Sequence, residues 1–130
     1  MRLLLVVEDD TDTRTTLGAL LSEAGYSVRG AADGPAALRE LRSLHPDLVL
    51  LDYGLPAPSD GEDFLRAKAA DPAIAAVPVI VLSGYNLPAE LDGTVAVIRK
   101  PFEFDYLLTI IARIVGSPEK PNRDASAQRK

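Results

Sequence analysis

The sequence of 130 residues contains no cysteine. Disulfide bonds, thiolate metal sites and cysteine nucleophiles are therefore excluded, and the lack of cysteine fits a cytoplasmic protein. No apolar stretch approaches the roughly 20 residues that cross a bilayer. The short apolar start of the chain also lacks the length and the small-residue cleavage site of a signal peptide. We expect a cytoplasmic protein that does not enter a membrane.

An excess of basic residues is missing as well. The chain has 14 Lys and Arg against 19 Asp and Glu, which gives a formal net charge of -5. Because nucleic-acid-binding surfaces usually appear as a basic face, we expect no direct contact with nucleic acid. A hydrophobic content of 47% is sufficient for one compact domain with a core.

Short apolar runs alternate with helical patterns along most of the chain. The runs predict strands at Leu3–Val7, Tyr26–Ala31, Asp47–Leu51, Val77–Leu82 and Val95–Ile98. Helical spacing of apolar residues lies between or after them, at 17–24, 34–44, 62–70 and 104–115. This alternation predicts an α/β fold: a doubly wound, flavodoxin-like parallel sheet of order 2-1-3-4-5 with helices on both faces. We expect residues 1–116 to form the domain and the polar residues 117–130 to form a disordered tail or linker.

Polar side chains follow four of the five predicted strands. Glu8 and Asp9 follow the first strand, Asp52 the third, Ser83 the fourth and Lys100 the fifth. Ligands of such sheets bind beyond the carboxyl ends of the strands. A strand that simply ends in a solvent-exposed loop would account for any one of these polar residues. That explanation is weaker for polar residues at all four strand ends.

Three carboxylates in one pocket require counter-charges, because like charges at short range repel. Lys100 supplies one positive charge, and Mg²⁺, which prefers carboxylate, carbonyl and water ligands, is the expected source of the rest. A carboxylate can also be a nucleophile that forms an acyl phosphate. Asp52 is placed for that role, with Lys100 and Ser83 available to stabilise the phosphoryl oxygens.

Four motifs together resemble the response-regulator receiver family of two-component signalling. They are Val-Val-Glu-Asp-Asp (6–10), Asp-Leu-Val-Leu-Leu-Asp-Tyr-Gly-Leu-Pro (47–56), Val-Ile-Val-Leu-Ser-Gly (79–84) and Lys-Pro-Phe (100–102). The resemblance implies that Asp52 is the phosphoacceptor. It also implies a histidine kinase or phosphotransfer protein as the donor and an output partner that the sequence does not identify.

The same resemblance implies a role for each of the other matching positions. Asp9, Asp52 and the backbone carbonyl of Gly54 would bind Mg²⁺ directly, and Glu8 would bind it through water. Ser83 and Lys100 would contact the phosphoryl group, and the peptide bond between Lys100 and Pro101 is usually cis in this family. Such a domain catalyses only its own phosphorylation and dephosphorylation, so we do not expect an enzyme in the ordinary sense.

The sequence departs from the family where the switch is expected. Most receivers have an aromatic residue on strand five that moves inward with the hydroxyl residue corresponding to Ser83, but the matching residue here is Val97. The segment from Ser83 to Lys100 is short, so we expect the fourth helix to be short or missing. Ser83-Gly84-Tyr85 partly resembles the "FAT GUY" subgroup of receivers. Tyr85 would then replace the missing aromatic switch, or it is a loop tyrosine that packs on Leu87.

Two other functions remain open at this point. One is a module that binds a partner without being phosphorylated. The other is a phosphatase with an aspartyl nucleophile, for which haloacid-dehalogenase-like enzymes place an acid/base Asp two residues after the nucleophile. That position is Gly54 here, so rapid turnover is not expected.

Overall fold

The computed structural model describes residues 2–53, 58–84 and 93–118. Within these ranges it contains five strands and four helices. In chain order they are β1 (Leu3–Val7), α1 (Thr11–Glu23), β2 (Ser27–Ala31), α2 (Gly34–Leu44), β3 (Leu48–Asp52), α3 (Pro58–Ala69), β4 (Val79–Ser83), β5 (Thr94–Arg99) and α4 (Phe104–Val115).

The five strands form one parallel sheet in the order β2-β1-β3-β4-β5. The predicted fold class and strand order are therefore confirmed. All five residues of β3 and of β4 are buried, as expected for central parallel strands with helices on both faces. Their continuous apolar runs reflect this two-sided burial.

The core has two parts, one on each face of the sheet. Alternate residues of β1 show the division: Leu5 and Val7 join the part that includes residues of α2 and α3, whereas Leu4 and Val6 join the part that includes residues of α1 and α4. Successive residues of a strand point to opposite faces, so each central strand contributes to both parts. The strand backbones that position the site are thus held from two sides.

Several predicted boundaries were wrong. β2 begins at Ser27 rather than Tyr26, and β5 spans Thr94–Arg99 rather than Val95–Ile98. β3 begins at Leu48 and ends at Asp52. Asp47 lies just before the strand, where its N–H donates to the carbonyl of Leu3 at 2.8 Å and its carboxylate accepts from the N–H of Leu3 at 2.8 Å. α3 begins at Pro58 rather than Glu62, since proline suits the first turn of a helix. β4 begins at Val79, after Pro78 rather than before it.

Several predictions concern residues outside the described ranges. Gly54, Tyr85, the segment 85–92 in which a short or missing fourth helix was predicted, and most of the tail belong to this group. Among the residues that are described, none of the helices is both long enough and apolar enough to cross a membrane.

Candidate functional site

The candidate site lies at the carboxyl edge of the sheet, where four neighbouring strands end. Pairing of Val7 with Leu51 and of Asp52 with Leu82 places the ends of β1, β3 and β4 side by side. Ser83, the last residue of β4, pairs with Arg99 of β5. Because parallel strands present the same ends to one edge, the polar residues at these ends share one cleft.

The structure brings four of the predicted site residues together. A carboxylate oxygen of each of Glu8, Asp9 and Asp52 lies within 4.8 Å of the corresponding oxygens of the other two. The Nζ atom of Lys100 donates a hydrogen bond to Oδ1 of Asp52 at 3.1 Å. The cluster therefore consists of three acidic groups with one ammonium group bonded to the central carboxylate.

The loop between β1 and α1 fixes the acidic pair. The N–H of Glu8 donates to the carbonyl of Ala31 at 2.9 Å and so extends the pairing of β1 with β2. Asp10 then caps α1, accepting a hydrogen bond from the N–H of Thr13 at 2.8 Å. The strand end on one side and the helix cap on the other leave the loop little freedom.

The electrostatics of the cluster follow from burial and like charge. Glu8 and Asp52 are only 6% and 7% exposed, whereas Asp9 is exposed. Burial, reinforced by the neighbouring Asp52 carboxyl, raises the pKa of Glu8 to about 8, against the opposing effect of a hydrogen bond from the backbone N–H of Asp10. When no cation is bound, the cluster therefore retains a proton near neutral pH. A positive ion at the cluster would favour the ionised carboxylates.

The remaining predicted residues lie around this cluster. Ser83 is fully buried at the end of β4, and its carbonyl accepts a hydrogen bond from the N–H of Lys100 at 2.8 Å. The Lys100–Pro101 peptide bond is cis. Val97 lies on β5 with 39% of its surface exposed. Gly54 and Tyr85, the other predicted metal and switch residues, fall outside the described ranges.

One contact at the site was not predicted from the sequence. The Nη1 atom of Arg14, on α1, donates a hydrogen bond to the backbone carbonyl of Glu8 at 2.6 Å. The sequence does contain a hint of this contact: Arg14 lies near the start of α1, where a positive charge is unfavourable because of the helix dipole. Such a residue is more easily explained by a tertiary contact than by local preference.

Comparisons with known proteins agree with this geometry. The family model "Response regulator receiver domain" matches residues 4–112. Protein Rrf1 of Nitratidesulfovibrio vulgaris is 30% identical over 125 residues, which cover 92% of this chain and 90% of that protein. The transcriptional regulator NtrC of Bradyrhizobium sp. is 33% identical over 123 residues, or 90% of this chain, but the chain spans only 25% of NtrC.

A solved structure of a receiver domain is also similar to this chain. The receiver domain of a sensor histidine kinase from Pseudomonas aeruginosa PAO1, with a magnesium ion coordinated in its active-site cleft, has a TM-score of 0.78 and 31% identity to this chain. The match covers 89% of this chain and 98% of that domain. None of these comparisons supports the narrower FAT GUY subgroup.

Proposed function

The chain belongs to the response regulator receiver domain family of two-component signalling, and from this premise we propose that Asp52 accepts the phosphoryl group. The donor is a histidine kinase or a phosphotransfer protein. The observation that carries the proposal is the position of the Asp52 carboxylate, buried at the end of β3, beside two further carboxylates and 3.1 Å from the Lys100 ammonium group. This arrangement provides both a nucleophile and opposite charges for a phosphoryl group.

The chemical step is a transfer between two nucleophiles. A carboxylate oxygen of Asp52 attacks the phosphorus of a phosphohistidine, and the new P–O bond forms an acyl phosphate. The P–N bond breaks, and the departing imidazole keeps its electron pair and takes a proton from solvent. The protein contributes position and electrostatic stabilisation, which is sufficient for phosphoryl transfer.

The acidic cluster fits a divalent cation, because three carboxylates and one lysine leave an excess of negative charge. We propose that Asp9, Asp52 and the carbonyl of Gly54 bind Mg²⁺ directly and that Glu8 binds it through water. When bound, Mg²⁺ neutralises phosphoryl oxygens and orients the group for in-line transfer.

Lys100 and Ser83 are proposed to hold the phosphoryl oxygens. The ammonium group of Lys100 already contacts Asp52 and would pair with an oxygen of the acyl phosphate. The hydroxyl of Ser83, at the end of the adjacent strand, would donate a hydrogen bond to another. Movement of Ser83 then becomes the start of a switch that alters the binding of an output partner.

The later part of that switch differs from the usual one. Val97 has no ring that could move inward, and Tyr85 is the proposed substitute. The proposal for Tyr85 is supported only by the sequence, in which Ser83-Gly84-Tyr85 partly resembles the FAT GUY subgroup. We further propose that the protein acts in the cytoplasm as a signalling domain, with residues 1–116 as the domain and 117–130 as a tail or linker.

The proposal is tested by phosphorylation from a small donor. The protein is incubated with Mg²⁺ and acetyl phosphate, and its intact mass is measured. We expect a stoichiometric adduct of about 80 Da that is absent in Asp52→Asn and retained in the control Asp105→Asn, which changes an exposed carboxylate in the first turn of α4.

Two results would contradict the proposal. If the unsubstituted protein formed no adduct and bound no Mg²⁺, a module that works without phosphorylation would be favoured. Rapid release of phosphate over many turnovers would favour the phosphatase instead, although Gly54 offers no side chain for the acid/base role that such an enzyme needs.

A further inference from the structure

Arg14 reaches from α1 back to the loop that carries the acidic pair. Its Nη1 donates to the carbonyl oxygen of Glu8 at 2.6 Å, and the positive charge of the donor strengthens this hydrogen bond. Its aliphatic stem lies against Gly30 of β2, where an added Cβ atom would be 3.0 Å from Cδ and 3.2 Å from Cγ of Arg14. The absence of a side chain at Gly30 therefore leaves room for this path of the arginine.

The carbonyl that Arg14 holds belongs to the peptide unit joining Glu8 to Asp9. The other side of Glu8 is fixed as well, because its N–H donates to Ala31 at 2.9 Å. The orientation of this peptide unit determines the direction in which the Asp9 side chain leaves the backbone. Arg14 is thus connected through one peptide plane to a carboxylate of the acidic cluster.

Repulsion among the three carboxylates explains why the hydrogen bond from Arg14 to the Glu8 carbonyl would matter for the site. Three carboxylates within 4.8 Å of one another tend to separate when no cation is bound. A backbone that is fixed in advance prevents the separation and removes the cost of reassembling the site on binding.

We propose that Arg14 is a positioning residue of the Mg²⁺ site, which it acts on through the Glu8–Asp9 peptide and not by touching the metal or the phosphoryl group. This inference rests on the proposed function, since it assumes that Glu8 and Asp9 hold Mg²⁺. It assigns a role to a residue whose side chain donates to the main chain of the loop.

The sign of the effect separates positioning from simple charge. Arg14→Met retains most of the apolar stem but removes both the donor and the positive charge. Loss of a cation near an acidic site would by itself strengthen Mg²⁺ binding. Loss of a positioning contact weakens it, by about tenfold if Arg14 acts like other outer residues of metal sites.

The experiment measures the Mg²⁺ dissociation constant by calorimetry for the unsubstituted protein, Arg14→Met, Arg14→Lys and Gly30→Ala. Amide ¹H–¹⁵N spectra of the metal-free proteins and urea unfolding in EDTA are recorded in parallel. We expect weaker binding and displaced Asp9 and Asp10 amide signals in Arg14→Met, partial recovery in Arg14→Lys, and a change in the same direction in Gly30→Ala, whose new methyl group displaces the arginine stem. The matched control is Arg39→Met, which removes an exposed arginine of α2.

The outcomes are distinguishable. Unchanged or tighter binding in Arg14→Met, while the unsubstituted protein binds Mg²⁺ and is phosphorylated, would overturn this inference and leave the proposed function intact. An equal loss in Arg39→Met would also overturn it, because the weaker binding would then not depend on the contact between Arg14 and the Glu8 carbonyl. No Mg²⁺ binding by the unsubstituted protein would overturn both. If Arg14→Met did not fold, Gly30→Ala would decide by the same criteria.

Discussion

Raising the pH is expected to destabilise the metal-free protein, because Glu8 must lose its proton inside the acidic cluster. The pKa of Glu8 is about 8 in the folded protein, against an ordinary value of 4.5. Between these values the folded state binds more protons than the unfolded state, so the free energy of unfolding falls as the pH rises. The loss begins near the lower pKa and is complete above the higher one.

The magnitude follows from the same two pKa values. At 1.36 kcal/mol per pH unit, the difference between 4.5 and about 8 corresponds to at most about 5 kcal/mol. Relaxation of the protein and penetration of water lower the effective cost of a buried charge below such an upper limit. We therefore expect a loss of about 2 kcal/mol between about pH 5 and pH 8.

The assay is urea unfolding followed by circular dichroism in EDTA at constant ionic strength. Glu8→Gln should remove most of the loss between the two pH values, because a neutral amide has no proton to release. The control Glu23→Gln changes an exposed glutamate at the end of α1 and should retain the full loss. The only histidine, His45, is exposed at the end of α2 and is present in all three proteins.

The reasoning would be refuted if the unsubstituted protein and Glu8→Gln lost stability equally between the two pH values. Saturating Mg²⁺ provides an independent check. A ligand that binds only the folded state stabilises it, and Mg²⁺ competes with the proton held by the cluster. The stabilisation by Mg²⁺ should therefore be larger near pH 8 than near pH 5 in the unsubstituted protein.

Three further predictions concern the site and its supports. Lys100→Met should bind Mg²⁺ at least as tightly as the unsubstituted protein but slow phosphorylation by acetyl phosphate about 10²-fold, measured as the rate of adduct formation; an unchanged rate would remove Lys100 from the mechanism. Asp10→Ala removes the cap that accepts from Thr13 and should lower the free energy of unfolding by about 1 kcal/mol in urea, whereas an unchanged midpoint would contradict the assigned cap. Gly61→Ala would place a Cβ atom 2.9 Å from the ring of Tyr53 and should cost about 1–3 kcal/mol in the same assay; a neutral result would mean that the ring moves freely.

The strands were predictable because they depend on local patterns, and their order was predictable because 2-1-3-4-5 is a common order of doubly wound sheets. Runs such as Leu48–Leu51 are apolar throughout, which indicates a strand buried on both faces. Once the strands are assigned, the rule that parallel strands share their carboxyl edge places Asp52 near Glu8 and Asp9 without any knowledge of side-chain packing. Among the boundaries, the largest error was the start of α3, which begins at Pro58 rather than Glu62.

Contacts between distant elements were not predictable. The path of Arg14 depends on the bare backbone of Gly30 on a neighbouring strand, which no spacing within α1 reveals. Lys68 is a second case: it is 1% exposed, and its Nζ donates to the carbonyl of Ala75 at 2.8 Å. A lysine in a short helix is ordinarily a surface residue, so its burial, which also lowers its pKa, follows from tertiary packing alone.

The acidic cluster and the core are best understood together. Crowding Glu8 against Asp52 destabilises the metal-free fold, yet both residues sit at the ends of strands whose apolar residues are almost entirely buried. Burial of those side chains contributes enough stability to hold the carboxylates in an arrangement that they would not adopt by themselves. Because the repulsion is already present in the folded state, a cation that relieves it binds with a favourable free energy that a relaxed, separated set of carboxylates would not provide. The same crowding therefore accounts for both the expected loss of stability at high pH and the expected affinity for Mg²⁺.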